Sequence, residues 1–421
     1  MAKKNQIIIT IIFFLLLPVF ILLIKQQQDL RRHATDIPAN IIIYTKNSVG
    51  NIPKNFWSNF SQGGEESHTN MIKPALSYLQ KLSPQYIRID HVFNYYNQKE
   101  LDETVETILE TGAKPFFSLT NPDEVPNWEE TVTALVHRYS VEKNIPNIYY
   151  EVLNEPDLFN KMHYKGDNNY LDFYAKTANA VAIGAESASY KIGGPSTSGY
   201  YPNWIKNLLE YCNNNHIKLD FLSWHKYSKY PTDYLSDIEN LNSLLSSYPN
   251  FRDIEKIISE FGPTPENDNS YNSLSAGIHL LSSASRLSPY IHKVFTFEII
   301  DGPNTHWGLI KKDGSVKPRY SAFEFLNQLK GELIGQEGNG SHVSALATKY
   351  NQTIQILLVN YDPDNKHEET VPITLKDLPP GQYKLNKTQF LGNTTSEILN
   401  TNQTTIYMSP NSAYLLELTI Q

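Results

Sequence analysis

The chain of 421 residues holds one cysteine, Cys212, which excludes an intrachain disulfide framework and any metal site built from several thiolates. No GxGxxG, GxxxxGK[ST] or HExxH spacing occurs, so no motif points to a dinucleotide, a nucleoside triphosphate or a zinc-protease centre. No cofactor is expected. Positive charge is in deficit as well: 36 Lys and Arg against 44 Asp and Glu give a net charge of −8. A nucleic-acid partner asks for a basic face and is excluded on that ground. Long apolar runs are equally scarce, and the single stretch of membrane length is 7–24, eighteen residues without a charge. It spans about 27 Å as a helix, enough for a bilayer core. Residues 1–32 are therefore expected to form a cytoplasmic tip, a transmembrane helix and a short polar tether, with the rest outside the cytoplasm. Ile37-Pro38-Ala39 is a poor cleavage site, so secretion after cleavage is the alternative.

What remains, nearly four hundred residues, suggests a large domain and a smaller one. Aromatics are plentiful, with 27 Tyr, 18 Phe and 5 Trp; such rings stack on sugars but are also ordinary core material. Two stretches carry chemistry. Ile148-Tyr149-Tyr150-Glu151-Val152-Leu153-Asn154-Glu155-Pro156 reads as a buried strand that stops on an amide, a carboxylate and a proline. Proline biases the residue before it toward extended backbone, so Glu155 is expected to be extended at a strand end. Lys256-Ile257-Ile258-Ser259-Glu260-Phe261-Gly262-Pro263 is a second apolar run ending on a glutamate and closed by turn formers. Two carboxylates facing one cleft are the minimum apparatus for glycoside hydrolysis. Either motif alone is more often a solvated loop end; together, in a repeating strand-helix pattern, they carry weight. Glu151, four residues before Glu155, has the parity to point inward and must be ion-paired there.

Strand-like runs centred on Trp57, Ile87, Phe117, Tyr150, Ile192, Ser223, Ile258 and Phe297 each precede a segment of helical spacing. Eight such units over residues 33–330 predict a (β/α)₈ TIM barrel, in which strand ends converge on one mouth. An open doubly wound sheet gives the two glutamates no reason to meet. Asn40–Tyr44 predicts a strand contributed to another domain. After Gly331 the pattern turns to short alternating segments broken by Gly, Pro, Asn and Asp. Residues 331–421 are thus expected to form an antiparallel β-sandwich, and the whole fold class is α/β barrel, C-terminal β-sandwich and N-terminal transmembrane helix.

With these residues in hand the chain resembles glycoside hydrolase family 39 of clan A, which includes β-xylosidases and α-L-iduronidases. Tyr149–Pro156 resembles its acid/base segment and Asp220-Phe221-Leu222-Ser223-Trp224-His225-Lys226-Tyr227 its sixth strand. Trp307-Gly308-Leu309 with Lys317–Asn327 is similar to its strand-eight exit, and Phe56-Trp57 with Gly63-Gly64 to its first strand. The resemblance implies a retaining mechanism with Glu155 as acid/base and Glu260 as nucleophile. It further implies that Asn154 binds the sugar 2-hydroxyl and that His225 and Tyr227 line the site. Arg88 is expected to keep Glu260 ionised, with His91, Trp57, Phe295 and Trp307 completing the substrate site. The chain departs from the family on strand eight, where Phe295 and Phe297 stand in place of a frequent Trp, and at Arg88-Ile89-Asp90-His91. The expected function is a β-xylosidase-like hydrolase of an extracellular oligo- or polysaccharide. An endo-acting exopolysaccharide hydrolase, a transglycosidase and a non-catalytic glycan binder are the alternatives.

Overall fold

A computed structural model describes residues 36–63 and 66–420. The uncharged run 7–24 and Gly64 lie outside them. Among the described residues no helix is long and apolar enough to cross a membrane. The expected fold class is corrected accordingly: the described residues form a barrel and a β-sheet unit, with no membrane-crossing helix among them.

Eight strands close the barrel in sequence order: β2 (Asn59–Gln62), β3 (Tyr86–Ile89), β4 (Lys114–Leu119), β5 (Ile148–Val152), β6 (Tyr190–Thr197), β7 (Phe221–Tyr227), β8 (Glu255–Gly262) and β9 (Lys293–Phe297). All neighbours are parallel, and β2 returns to β9 through Phe60↔Thr296 and Ser61↔Phe297. Every barrel strand leads into an α-helix, from α1 (Leu76–Leu82) through α2 (Gln98–Glu110), α3 (Trp128–Val136), α4 (Tyr170–Ala185), α5 (Pro202–Asn215), α6 (Pro231–Leu245) and α7 (Leu274–Leu287) to α8 (Pro318–Leu326). The first strand starts later than expected. Lys54–Phe56 form a single 3₁₀ turn that Trp57 closes by donating its N–H to the Lys54 carbonyl, which leaves Trp57 before the strand and buried.

Alternation along the strands sorts the interior into layers. Phe116, Tyr149, Phe221, Ile257 and Phe295 pack into one aromatic and aliphatic plug. Two residues further along the same faces stand Ser118, Glu151, Ser223, Ser259 and Phe297, so the layer nearer the strand ends is largely polar. On β8 the alternation breaks. The pairing steps from Trp224↔Ile258 to His225↔Glu260, skipping Ser259. A bulge of this kind re-aims the following side chain. Without it Glu260 would share the outward face of Ile258.

The second unit is a nine-stranded sheet in the order β15-β14-β17-β12-β11-β10-β1-β13-β16. Its members are β1 (Ile41–Asn51), β10 (Glu332–Glu337), β11 (Val343–Tyr350), β12 (Thr353–Asn360), β13 (Glu369–Lys376), β14 (Tyr383–Gln389), β15 (Thr394–Leu399), β16 (Gln403–Met408) and β17 (Ser412–Ile420). β1 precedes the barrel in the chain yet pairs antiparallel with β10 and parallel with β13. It is the strand expected to serve another domain, and it brings one parallel pair into an otherwise antiparallel sheet. The unit buries its own core, including Ile41, Ile43, Ile356, Ile373 and Leu416. It is seated on α7, where Ser285 Oγ meets Ser344 Oγ at 2.6 Å and Arg286 Nη2 donates to the carbonyls of Gly340, Ser341 and Val343.

Candidate active site

Arg88 on β3 is fully buried and organises the polar layer. Its Nε donates to Glu151 Oε2 at 2.8 Å, Nη1 to Glu260 Oε1 at 3.0 Å, and Nη2 to Asn154 Oδ1 at 2.6 Å. Ser61 and Ser118 accept from the remaining N–H groups at 3.4 and 3.2 Å. One guanidinium therefore fixes residues from β5 and β8 and the turn after β5, a task suited to its planar fork of donors. Burial disfavours the guanidinium charge, but Glu151 and Glu260 outweigh it and push the Arg88 pKa up. Burial likewise pushes Glu151 up, and Arg88, then His225, outweigh it, so that carboxyl sits below its ordinary value.

Glu155 leaves β5 through a turn. Leu153 and Glu155 have φ of 67° and 44°, left-handed conformations uncommon for side chains of this size. The Glu155 N–H donates to the Ser196 carbonyl at 2.8 Å, and its own carbonyl accepts from Leu158 and Phe159, each at 2.9 Å. These bonds hold the turn against the extended backbone that Pro156 favours, so the expectation of an extended Glu155 is corrected. Strain of this sort gathers where a side chain must be aimed.

The aim is at His225. Its Nδ1 lies 2.9 Å from Glu155 Oε1 and 3.4 Å from Glu260 Oε2, and Ser196 Oγ stands 3.3 Å from Nε2. Tyr227, two residues on and on the same face, donates its hydroxyl to Glu260 Oε2 at 2.8 Å. Oxygens of Glu155 and Glu260 and a ring nitrogen of His225 all fall within 4.8 Å of one another. Burial works against a charged imidazole, but Glu260 and Glu155 raise the His225 pKa above its usual value. Burial pushes Glu155 up, and the His225 hydrogen bond and charge, with a smaller effect of Arg88, pull it below the ordinary carboxylate range. The two shifts run in opposite directions, so a proton in the 2.9 Å contact is favoured on the imidazole over the Glu155 carboxylate. Burial, then the Glu260 charge, raises the Tyr227 pKa well above normal, which keeps it a donor. The three-residue cluster has the spacing of a metal site, but Arg88 already places a fixed positive charge on Glu260.

The remaining sequence-predicted residues divide. His91 is half-buried, stacks on Tyr95 at 4.2 Å and meets Asn121 at 3.1 Å. With Asn94, Glu124, Asn154 and Phe159 it lines a cleft of about 420 Å³. Trp307 stands edge-on to Phe297 at 5.6 Å between centroids and donates its indole N–H to the Glu266 carbonyl. Phe297 is the ring at the strand end, paired with Ser61. Two expectations need correction. Phe295 has the right parity but the wrong depth, in the plug below the polar layer. Trp57 is buried in the general core around the barrel. Ser61, Ser118 and Ser196 were not singled out from sequence; small hydroxyl residues on inward strand positions are the signal they leave.

The sequence model for glycosyl hydrolases family 39 matches residues 75–300, more than half of the chain. The chain belongs to glycosyl hydrolases family 39. The matched family 39 segment runs from just before α1 through β9 and contains Arg88, Asn154, Glu155, His225, Tyr227 and Glu260. A beta-xylosidase of Geobacillus stearothermophilus is 24% identical over 298 residues, 58% of this chain and 58% of that protein. A second, from Caldicellulosiruptor saccharolyticus, is 24% identical over 324 residues, 64% of each. The chain thus spans less than two thirds of the length of these curated relatives. A solved monomeric beta-xylosidase from Caulobacter crescentus shares the fold with a TM-score of 0.73 at 17% identity, covering 91% of this chain and 99% of that one.

Proposed function

We propose that this family 39 protein is a retaining glycoside hydrolase, β-xylosidase-like, acting on an oligo- or polysaccharide outside the cytoplasm. The observation that carries the reading is the approach of Glu155 and Glu260 within 4.8 Å at one barrel mouth. Retaining enzymes hold their carboxyl groups about 5–5.5 Å apart, whereas inverting ones need about 6.5–9.5 Å to admit a water. Glu260, gripped by Arg88 and Tyr227, attacks the anomeric carbon. Glu155 protonates the leaving oxygen, drawing the proton through its 2.9 Å bond to His225. In the second step Glu155 takes a proton from water, which displaces Glu260 from the sugar. Arg88 engages Asn154 through Oδ1, so the amide NH₂ is left to donate to the sugar 2-hydroxyl, a contact that strengthens in the transition state. The β-xylosidase-like specificity is drawn from the names of the two curated relatives. The extracytoplasmic address rests on the uncharged run 7–24 alone.

A panel of aryl glycosides, run beside Glu260→Gln, tests the proposal. Turnover of the aryl β-xyloside that Glu260→Gln lowers about 10³-fold or more supports it. Equal turnover by that variant, or no turnover of any glycoside despite measurable binding of xylooligosaccharides, overturns it in favour of a glycan binder.

A further inference from the structure

A second cluster of ligating side chains lies away from the barrel mouth, where the chain enters the β-sheet unit. Asp36, His342 and His367 each offer one ligand atom within 4.8 Å of the other two. The imidazoles stack at 4.2 Å between centroids and 24° between planes. Asp36 Oδ2 stands 3.3 Å from His342 Nε2, and Glu369 Oε2 stands 3.0 Å from His367 Nε2.

The hydrogen bonds around the cluster prepare it for a cation. His342 Nδ1 faces the Tyr361 carbonyl at 3.3 Å. A carbonyl only accepts, so one ring proton belongs on Nδ1, and Nε2, facing the Asp36 carboxylate, carries either a second proton or a bound cation. Either places positive charge between the two, and a carbonyl-held imidazole beside a carboxylate is how metal-binding histidines are oriented. The backbone on the other side is pinned too. Buried Asp362 accepts the N–H groups of Asp364, Lys366 and His367 at 2.8 to 2.9 Å. Asp36 is held by its neighbour: Ile37 and Ser341 exchange two bonds of 2.9 Å, one backbone to backbone and one from the Ile37 N–H to Ser341 Oγ. Ala39 donates to Glu369 Oε1 at 2.6 Å.

The geometry points to a divalent transition-metal site of the zinc class, with His342, His367 and Asp36 as ligands and Glu369 orienting the His367 ring. Two imidazoles and a carboxylate suit zinc and leave a fourth position to water. Tetrahedral ligands at the usual bond lengths lie about 3.4 Å apart, so side-chain rotation closes the set. The metal ties residues 36–39, just before β1, to the loops carrying His342 and His367. Since those segments meet only in the folded chain, binding stabilises the fold without touching the sugar site.

The test uses the full chain, stripped with EDTA and titrated with ZnCl₂ by calorimetry and by thermal melting. One equivalent should bind and raise Tm by about 3 °C or more. His342→Ala and His367→Ala should abolish both effects. Asp36→Asn, a change at a partly exposed residue with little risk to folding, should weaken binding about 10-fold or more. His225→Gln should leave binding intact, since the other metal-spaced cluster lies in the active site. Absence of binding overturns the proposal, as does binding that survives the His342 and His367 changes or is lost in His225→Gln. Stabilisation by protons alone, with none from zinc, also overturns it and leaves a protonated histidine-carboxylate pair.

Discussion

Arg88→Met separates the structural work of the buried guanidinium from its catalytic work. Arg88 and Glu151 are both fully buried and 2.8 Å apart, so the substitution strands an acidic group inside the barrel. Breaking a buried pair from one side costs about 3–5 kcal/mol, a large share of the roughly 5–15 kcal/mol that holds a domain together. The double variant Arg88→Met/Glu151→Gln removes the stranded charge and should recover about 2 kcal/mol or more of that loss. Activity should not return with it. Glu260 and Asn154 have both lost a partner, and a hydrogen bond between charged groups is worth about 1.5–3 kcal/mol, so kcat/KM of the double variant should stay about 10²-fold or more below wild type.

The pH dependence has a definite sign. Despite burial, Arg88 and His225 hold the Glu151 carboxyl below its ordinary value. A depressed carboxyl contributes stability that is present above its unfolded pKa of about 4.3 and is lost as pH falls through the folded value. The penalty of Arg88→Met should therefore be full at pH 7 and shrink at pH 4 and below, where the stranded group takes up a proton. Urea unfolding at the two pH values, with kcat/KM on an aryl β-xyloside, measures all of this. An equal loss at both pH values, or a double variant no more stable than Arg88→Met, refutes the reasoning.

Tyr227→Phe removes one charge-assisted bond to Glu260 and should lower kcat/KM about 10- to 150-fold without changing the urea midpoint at the same scale; an unchanged rate would detach Tyr227 from the nucleophile. His225→Gln should move the alkaline limb of the kcat/KM profile to lower pH, because the raised His225 pKa is what keeps the shared proton on the pair as pH rises. An alkaline limb that stays in place would mean that the proton never resides there. Phe295→Ala should cost about 3–5 kcal/mol in urea unfolding while KM of the folded fraction holds, and a large KM change would return Phe295 to the sugar site.

The barrel was legible because strand and helix periods differ sharply and each of eight strand-like runs precedes a segment of helical spacing. Glu155 and Glu260 were legible because each ends an apolar run. The facing of Glu260 was not, since it depends on a bulge at Ser259 that simple alternation does not announce. Depth along a strand is hidden for the same reason: Phe295 and Phe297 share parity, and only the closed barrel shows that one belongs to the plug and the other to the mouth. Trp57 failed because a 3₁₀ turn competes with a strand over so short a run. In the sheet unit β15 leaves little trace in the sequence, because its first five residues are exposed and an edge strand of that kind carries no apolar alternation to read. The contribution of β1 was read from Asn40–Tyr44, but its partners, β10 and β13, lie some three hundred residues away and follow from tertiary packing alone.

The central claim is that Glu155 and Glu260 stand close enough for a double displacement. Proton NMR of the first sugar released from an aryl β-xyloside, recorded before mutarotation, tests it most directly. The β anomer appearing first, and no release by Glu260→Gln, is the predicted result; an initial α anomer would contradict the account.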